Sequence, residues 1–232
     1  MSEIITVSHI NDPVRQPIPI SRDQYYASIF TDALAGVENK EIITKDVQVA
    51  PHILSVILFN QSGHMILQNR ASTKKHNAGL MDKTIGGHIQ WDYHSDPLWT
   101  GILESIQELR IAMLSVPYKD YAEKLLQVGK HALGGFAFTT QIGRPTLMWF
   151  RRTVGDRIYL MPNIVHLYLG AYFGGVIPAD CEVGGIAFRP ASIESLTGDP
   201  HTRITDDLFQ ILSKHAGDIQ HFSRLARQLG DT

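Results

Sequence analysis

The chain has 232 residues, 44% of them hydrophobic and 19% charged, with a formal net charge of -2 and one cysteine. That is enough chain for one large domain, or for a domain with an extension, and the balance is globular rather than disordered. So small a charge gives no basic field for nucleic acid or an anionic membrane, and the lone Cys181 excludes an intrachain disulfide or a cysteine-rich zinc site.

Residues 1–48 mix polar residues, Pro13, Pro17 and Pro19 with a helix-like patch over 23–35. They read as an N-terminal extension docked on a main domain of residues 49–232. The opening residues lack the basic-then-apolar order of a signal peptide. Apolar runs such as 53–59 are too short to span a bilayer, so a cytoplasmic protein is expected. Residues 53–59 and 64–69 predict a hairpin closed by Asn60-Gln61-Ser62-Gly63. The stretch 70–87, RASTKKHNAGLMDKTIGG, is polar, basic and glycine-punctuated, and reads as a connection ending in a Gly-Gly turn.

Ser95-Asp96-Pro97 then opens a helix, with Asp96 able to cap free amides and proline suited to the first turn. On a helical wheel Leu98, Ile102, Ile106, Leu109 and Met113 share one side. Glu104 and Glu108 share the other, about 40° apart, and the helix should end before Pro117. Residues 115–135 show no decisive pattern. Strands are predicted at 136–140, 146–151, 164–173 and 182–188, a short helix at 190–196, and closing helices at 206–215 and 218–229. This order suggests an α/β/α sandwich with a mixed central β-sheet. Trp91, Trp99 and Trp149 are scattered and read as packing residues.

Glutamates at i and i+4 repel unless a cation lies between them. A solvated outer face is the commoner explanation of such a pair taken alone. Here, however, the preceding segment carries Arg70, Lys74 and Lys75, which can grip an anion, and Gly86-Gly87, which permits close approach. Magnesium is commonly held by one or two carboxylates together with substrate phosphates. Basic groups on one side and a metal on the other would hold a diphosphate from two directions.

At this point the sequence resembles the Nudix hydrolase superfamily. Leu103-Glu104-Ser105-Ile106-Gln107-Glu108-Leu109-Arg110-Ile111 is similar to the helix of its catalytic box. Glu104 and Glu108 stand at two of the three metal-binding glutamates, Gln107 replaces the third, Leu103 the arginine and Arg110 the glycine. LFNQSGHMILQNRASTKKHNAGLMDKTIGGHI, HLYLGAYFGGVIPADCEVGGIAFRP and RITDDLFQIL resemble the branch that includes isopentenyl diphosphate isomerase. Arg70 and Lys74 match its diphosphate-contacting element. Isomerase activity is disfavoured, because Gly86 stands where that enzyme needs a cysteine. His88 matches the isomerase's metal-binding histidine but reads as a sheet or loop residue.

The resemblance implies a Nudix-type α/β/α sandwich and a hydrolase of nucleoside diphosphates linked to a second group, X. Mg²⁺ or Mn²⁺ would be held by Glu104, Glu108 and Gly87, and the diphosphate by Arg70, Lys74, Gly86 and Gly87. Glu108 is the first choice for general base, with Asp92, His94 and Asp96 as alternatives. The implied partner is a small diphosphate rather than nucleic acid or membrane, and a homodimer is expected. The rival expectation is a Nudix-fold module that binds a phosphorylated ligand or a protein without turnover.

Overall fold

A computed structural model describes residues 3–12, 16–30, 42–44, 47–74, 76–131, 134–154, 157–175, 183–198 and 201–230. Cys181, Lys75 and the 31–35 portion of the expected first helix lie outside these. The chain opens with strands β1 (Ile4–His9) and β2 (Ile18–Ser21), helix α1 (Arg22–Phe30) and strand β3 (Ile42–Thr44). The hairpin follows as β4 (Val49–Phe59) and β5 (Met65–Arg70), then β6 (Met81–Asp82) and β7 (Ile85–His88). Helix α2 (Leu98–Leu109) leads to β8 (Ala112–Ser115), α3 (Tyr118–Gly129) and β9 (Phe136–Gln141). The long hairpin of β10 (Thr146–Val154) and β11 (Arg157–Phe173) precedes β12 (Val183–Arg189), α4 (Glu194–Thr197), α5 (Asp206–Lys214) and α6 (Ala216–Arg227).

β4 and β11 form the spine of the sheet, parallel from His52 beside Ile164 to Phe59 beside Ala171. Both are apolar on both faces, as a strand covered on two sides must be. Along β4, Ile53, Ile57 and Phe59 point into a core closed by Tyr121 and Leu125 of α3, Leu208 and Ile211 of α5, and Ile219 and Phe222 of α6. The alternate residues Leu54, Val56 and Leu58 point into a second core with Leu109 of α2 and Met113 of β8. The period-two alternation of one strand thus divides the helices into two layers, giving the expected α/β/α sandwich on a mixed sheet.

The edge of β4 opposite β11 forks. Val7 of β1 pairs with Pro51, β7 pairs antiparallel with Ile53 to Val56, and β5 with Leu58 and Phe59. Thr84 closes the fork: its hydroxyl accepts from the Leu58 N–H at 2.9 Å and donates to the Ile66 carbonyl. On β11, Pro162 falls where the partner strand changes from β3 to β4, so its missing N–H interrupts neither ladder.

Several expectations are corrected. Gly86 and Gly87 form no turn; they sit within β7, paired with Ser55 and Leu54. α2 stops at Leu109, and Met113 belongs to β8. Ile106 is 51% exposed, as is Trp99 at 52%, so neither packs as expected. The stretch 118–129 is a helix whose Tyr121 and Leu125 are buried one turn apart.

The N-terminal strand is tied to the spine by a buried polar chain. Ser8 Oγ lies 2.8 Å from His52 Nε2, and His52 Nδ1 lies 2.9 Å from His166 Nε2. Burial lowers His52 to about 4, and burial with the neighbouring His52 lowers His166 to about 3. Both rings are therefore neutral at pH 7. An unfolded histidine takes up its proton near pH 6.5, so below that value the unfolded state binds protons that the folded state refuses. Stability is full above about pH 6.5 and falls as the pH drops toward the folded values, by on the order of 5 kcal/mol for the two histidines together at pH 4.5. Melting curves between pH 7 and 4.5 should fall more steeply for the native chain than for a His52→Gln, His166→Gln double variant; parallel curves would contradict this.

Candidate active site

α2 carries its two glutamates unusually close to the sheet because the residues between helix and strands are small. Thr100, Gly101 and Ser105 are buried on that face together with Glu108 and Leu109. A Cβ on Gly101 would stand 3.0 Å from Leu54 Cδ1 and overlap Met113 Cε. Ser105 Oγ donates to the Ile102 carbonyl at 2.8 Å and to the Ile111 carbonyl at 3.0 Å, tying the helix end to the next strand. The buried face is thus not the apolar stripe read from the wheel. It includes Glu108, only 4% exposed, whose Oε2 lies 3.5 Å from Gln68 Nε2.

Glu104 lies against β7. A Cβ on Gly87 would stand 2.8 Å from the Glu104 Cδ and closer still to Oε1, while one on Gly86 would overlap Lys83 Cε. A side chain at either position would displace the end of Glu104 or Lys83, so these glycines serve close approach rather than a turn. The strand's bare backbone is the surface on which the carboxylate rests.

One cavity of about 110 Å³ gathers Glu104, Glu108, Gly86 and Gly87 with Arg70, Lys74, Gln68 and His88. The expected metal-binding and diphosphate-binding residues Glu104, Glu108, Arg70, Lys74, Gly86 and Gly87 thus open on the same space. The cavity also takes in Asp82, Lys83, Asp207, Arg152, Arg22 and Glu3, which the motif did not reveal. Five basic and five acidic side chains line it, so a bare diphosphate would gain no net attraction unless a cation offset the glutamates.

The floor is a buried ion cluster. Lys83 Nζ lies 2.6 Å from Asp207 Oδ2 and 3.2 Å from Asp82 Oδ1, and Arg70 Nη1 lies 3.2 Å from Asp82 Oδ2. Thr205 Oγ1 donates to Asp82 at 3.0 Å and also accepts from the Leu208 N–H as the cap of α5. Burial opposes the charge on Lys83, but Asp207 and Asp82 outweigh it and raise its pKa. Burial likewise opposes the Asp207 charge, yet Lys83 and Arg152 hold that carboxyl well below the usual range. Both groups stay ionised at neutral pH. Arg70, expected to serve only the substrate, is already half committed to Asp82.

His88 is buried, with Nε2 2.9 Å from the Tyr26 hydroxyl. Burial first, then Arg22, Arg152 and Lys83, pushes it well below its ordinary value, so it is neutral. Asp92, His94 and Asp96 are exposed and none lines the cavity of the glutamates. His94 stacks on Trp91, and Asp96 Oδ1 accepts from the Leu98 N–H at 3.3 Å at the start of α2.

Among the described residues no cluster of three or more His, Cys, Asp or Glu side chains is placed to hold a metal. Two carboxylates and a backbone carbonyl at Gly87 would have to be completed by water and phosphate oxygens, which suits a hard divalent ion. The donor set therefore fits Mg²⁺ or Mn²⁺. Gln107 is exposed and lies off the cavity lining.

No family model matches the sequence, and no curated protein matches it. The chain is similar to solved structures at low identity. One is DR0079 from Deinococcus radiodurans, at 11% identity and a TM-score of 0.48, covering 91% of this chain and 98% of that one. Another is the MutT protein of Methanosarcina mazei Go1, at 14% identity and 0.43, covering 78% and 99%. A third is the Nudix domain of Shewanella oneidensis NrtR, complexed with ADP ribose, at 11% identity and 0.43, covering 86% and 99%. These likenesses concern chain course, and the roles of individual residues rest on the geometry above.

α2 ends at Arg110, which takes left-handed angles of φ 55° and ψ 37° while its N–H still reaches the Ile106 carbonyl. A side chain there costs about 1 kcal/mol that glycine would not. Arg110→Gly should raise the melting temperature by about 2–4 °C; an unchanged or lower value would show that the arginine side chain offsets the strain.

Proposed function

We propose that this chain is a Nudix-type hydrolase that cleaves the diphosphate bond of a nucleoside diphosphate linked to a group X, with Mg²⁺ or Mn²⁺. The observation that carries the reading is the opening of Glu104, Glu108, Arg70 and Lys74 on one cavity beside Gly86 and Gly87. Cationic and anionic groups so arranged suit a substrate with phosphate oxygens on one side and a cation on the other.

Glu104, Glu108 and the Gly87 carbonyl would hold the ion, whose contribution would be to draw negative charge off the phosphate oxygens. Arg70 would share its donors between Asp82 and the diphosphate, since its guanidinium has five. Lys74 would add a point charge, and the glycine backbone of β7 would let the phosphates approach the sheet. Glu108 would accept the proton of a water attacking phosphorus. The new P–O bond forms as the anhydride P–O bond breaks, leaving a nucleoside monophosphate and X-phosphate.

Residues 1–48 would act as an extension that walls the cavity through Glu3 and Arg22. A module that binds without turnover is the rival reading. Against it, the exposed Gln107 removes nothing from the cavity lining by not being acidic.

Incubation with Mg²⁺ or Mn²⁺ and a panel of nucleotide sugars, dinucleoside polyphosphates, nucleoside triphosphates and prenyl diphosphates, with phosphatase-coupled phosphate release, tests the reading. At least one nucleoside diphosphate-X compound should be hydrolysed, and Glu104→Gln should lower that rate by a hundredfold or more. Equal traces from the native chain and the variant for every compound would leave the binding module.

A further inference from the structure

The cavity floor holds more positive charge than its carboxylates absorb. Asp82 already accepts from the Lys83 backbone N–H at 2.8 Å, from Lys83 Nζ and Thr205 Oγ1 through Oδ1, and from Arg70 through Oδ2. Asp207 is taken by Lys83 Nζ at 2.6 Å. Arg152 comes from β10 and lines the same cavity as a third cation facing these two carboxylates. Its charge is felt by Tyr26, Asp207 and Asp82, yet among the described residues it forms no salt bridge. Three cations share two carboxylates, and of the three Arg152 is the one that forms a salt bridge to neither among the described residues.

Its surroundings differ from those of Arg70. Arg70 stands at the end of β5, bonded to the His76 carbonyl and Asp82. Arg152 stands by the N-terminal wall, where Tyr26 of α1 meets His88, and where the Arg22–Glu3 pair at 2.8 Å stands at the cavity. The charges of Arg152 and Arg22 both bear on His88. A diphosphate held by Arg70 and Lys74 would therefore leave Arg152 facing another part of the ligand.

We propose that Arg152 binds an acidic group that the substrate carries beyond its diphosphate, so that preferred substrates bear a further phosphate or carboxylate. The proposal rests on the hydrolase reading of the same cavity. A guanidinium fork pairs with either group through two parallel hydrogen bonds. In a half-buried cavity the loss of such a charged contact lowers affinity by roughly tenfold to a hundredfold.

Two matched pairs of compounds test it. Coenzyme A and dephospho-coenzyme A differ by one phosphate, and UDP-glucuronate and UDP-glucose by one carboxylate. Hydrolysis is measured as kcat/KM with Mg²⁺, and binding of the same compounds is measured by calorimetry with Ca²⁺ in place of Mg²⁺, a readout that needs no turnover. The native chain should favour the charged member of at least one pair by tenfold or more. Arg152→Gln should lose at least ten times more on that member than on its neutral counterpart. Arg152→Lys, which keeps the charge but not the fork, should lose severalfold, and it carries the test if circular dichroism shows Arg152→Gln unfolded. The responding pair identifies the group as phosphate or carboxylate. No preference in the native chain, or an equal loss on both members, would overturn the proposal. An Arg152-dependent binding preference without any hydrolysis would sink the hydrolase reading alone.

Discussion

The contact on which the site depends is that of the Glu104 carboxyl with the side-chain-less backbone of Gly87. It exists because α2 lies close to the sheet, through Gly101 and Ser105, and because β7 presents no Cβ where the carboxyl comes to rest. The same closeness buries Glu108 beside Gln68. A carboxylate taken out of water must find a partner. The small residues of helix and strand therefore do more than permit packing: they set two acidic groups side by side against the strand.

Opposite that contact, charge is arranged in a different way. Lys83, Asp82, Asp207 and Arg70 form a buried cluster whose members come from β5, β6, the residue after it and the first turn of α5. Removing one member of such a cluster strands the others, at a cost of roughly 3–5 kcal/mol. The cluster thus binds α5 to the strands that carry Arg70, and keeps the basic side of the cavity in register with the acidic side. Structure and electrostatics are coupled at that point. The N-terminal segment adds the remaining wall, with β1 in the ladder of β4 and Tyr26 bonded to His88.

Much of this could be read from the chain, for identifiable reasons. The β4–β5 hairpin, the strand at 164–173 and the two closing helices announce themselves by apolar period and turn residues. The pairing of Glu104 with Glu108, and of Arg70 with Lys74, followed from local spacing. Gly86-Gly87 misled, because glycine signals a turn more often than a close approach, and only tertiary packing distinguishes the two. α3 was legible in principle: Pro117 precedes Tyr121 and Leu125 at helical spacing. The ion cluster was not, since Asp82 and Lys83 stand more than a hundred residues from Asp207, and Arg152 lies in a strand whose pattern shows only alternation. Adjacent charges inside the apolar LMDKTI stretch were the one local hint that something must neutralise them.

The claim at the centre is that the acidic pair of α2 and the bare strand β7 together hold one divalent ion. Mn²⁺ titration followed by electron paramagnetic resonance, on the native chain, a Glu104→Gln, Glu108→Gln double variant and Gly87→Ala, tests it most directly. One Mn²⁺ bound per native chain, lost in the double variant and weakened at least tenfold by the added methyl group, is the predicted result. Equal Mn²⁺ uptake by all three proteins would contradict it.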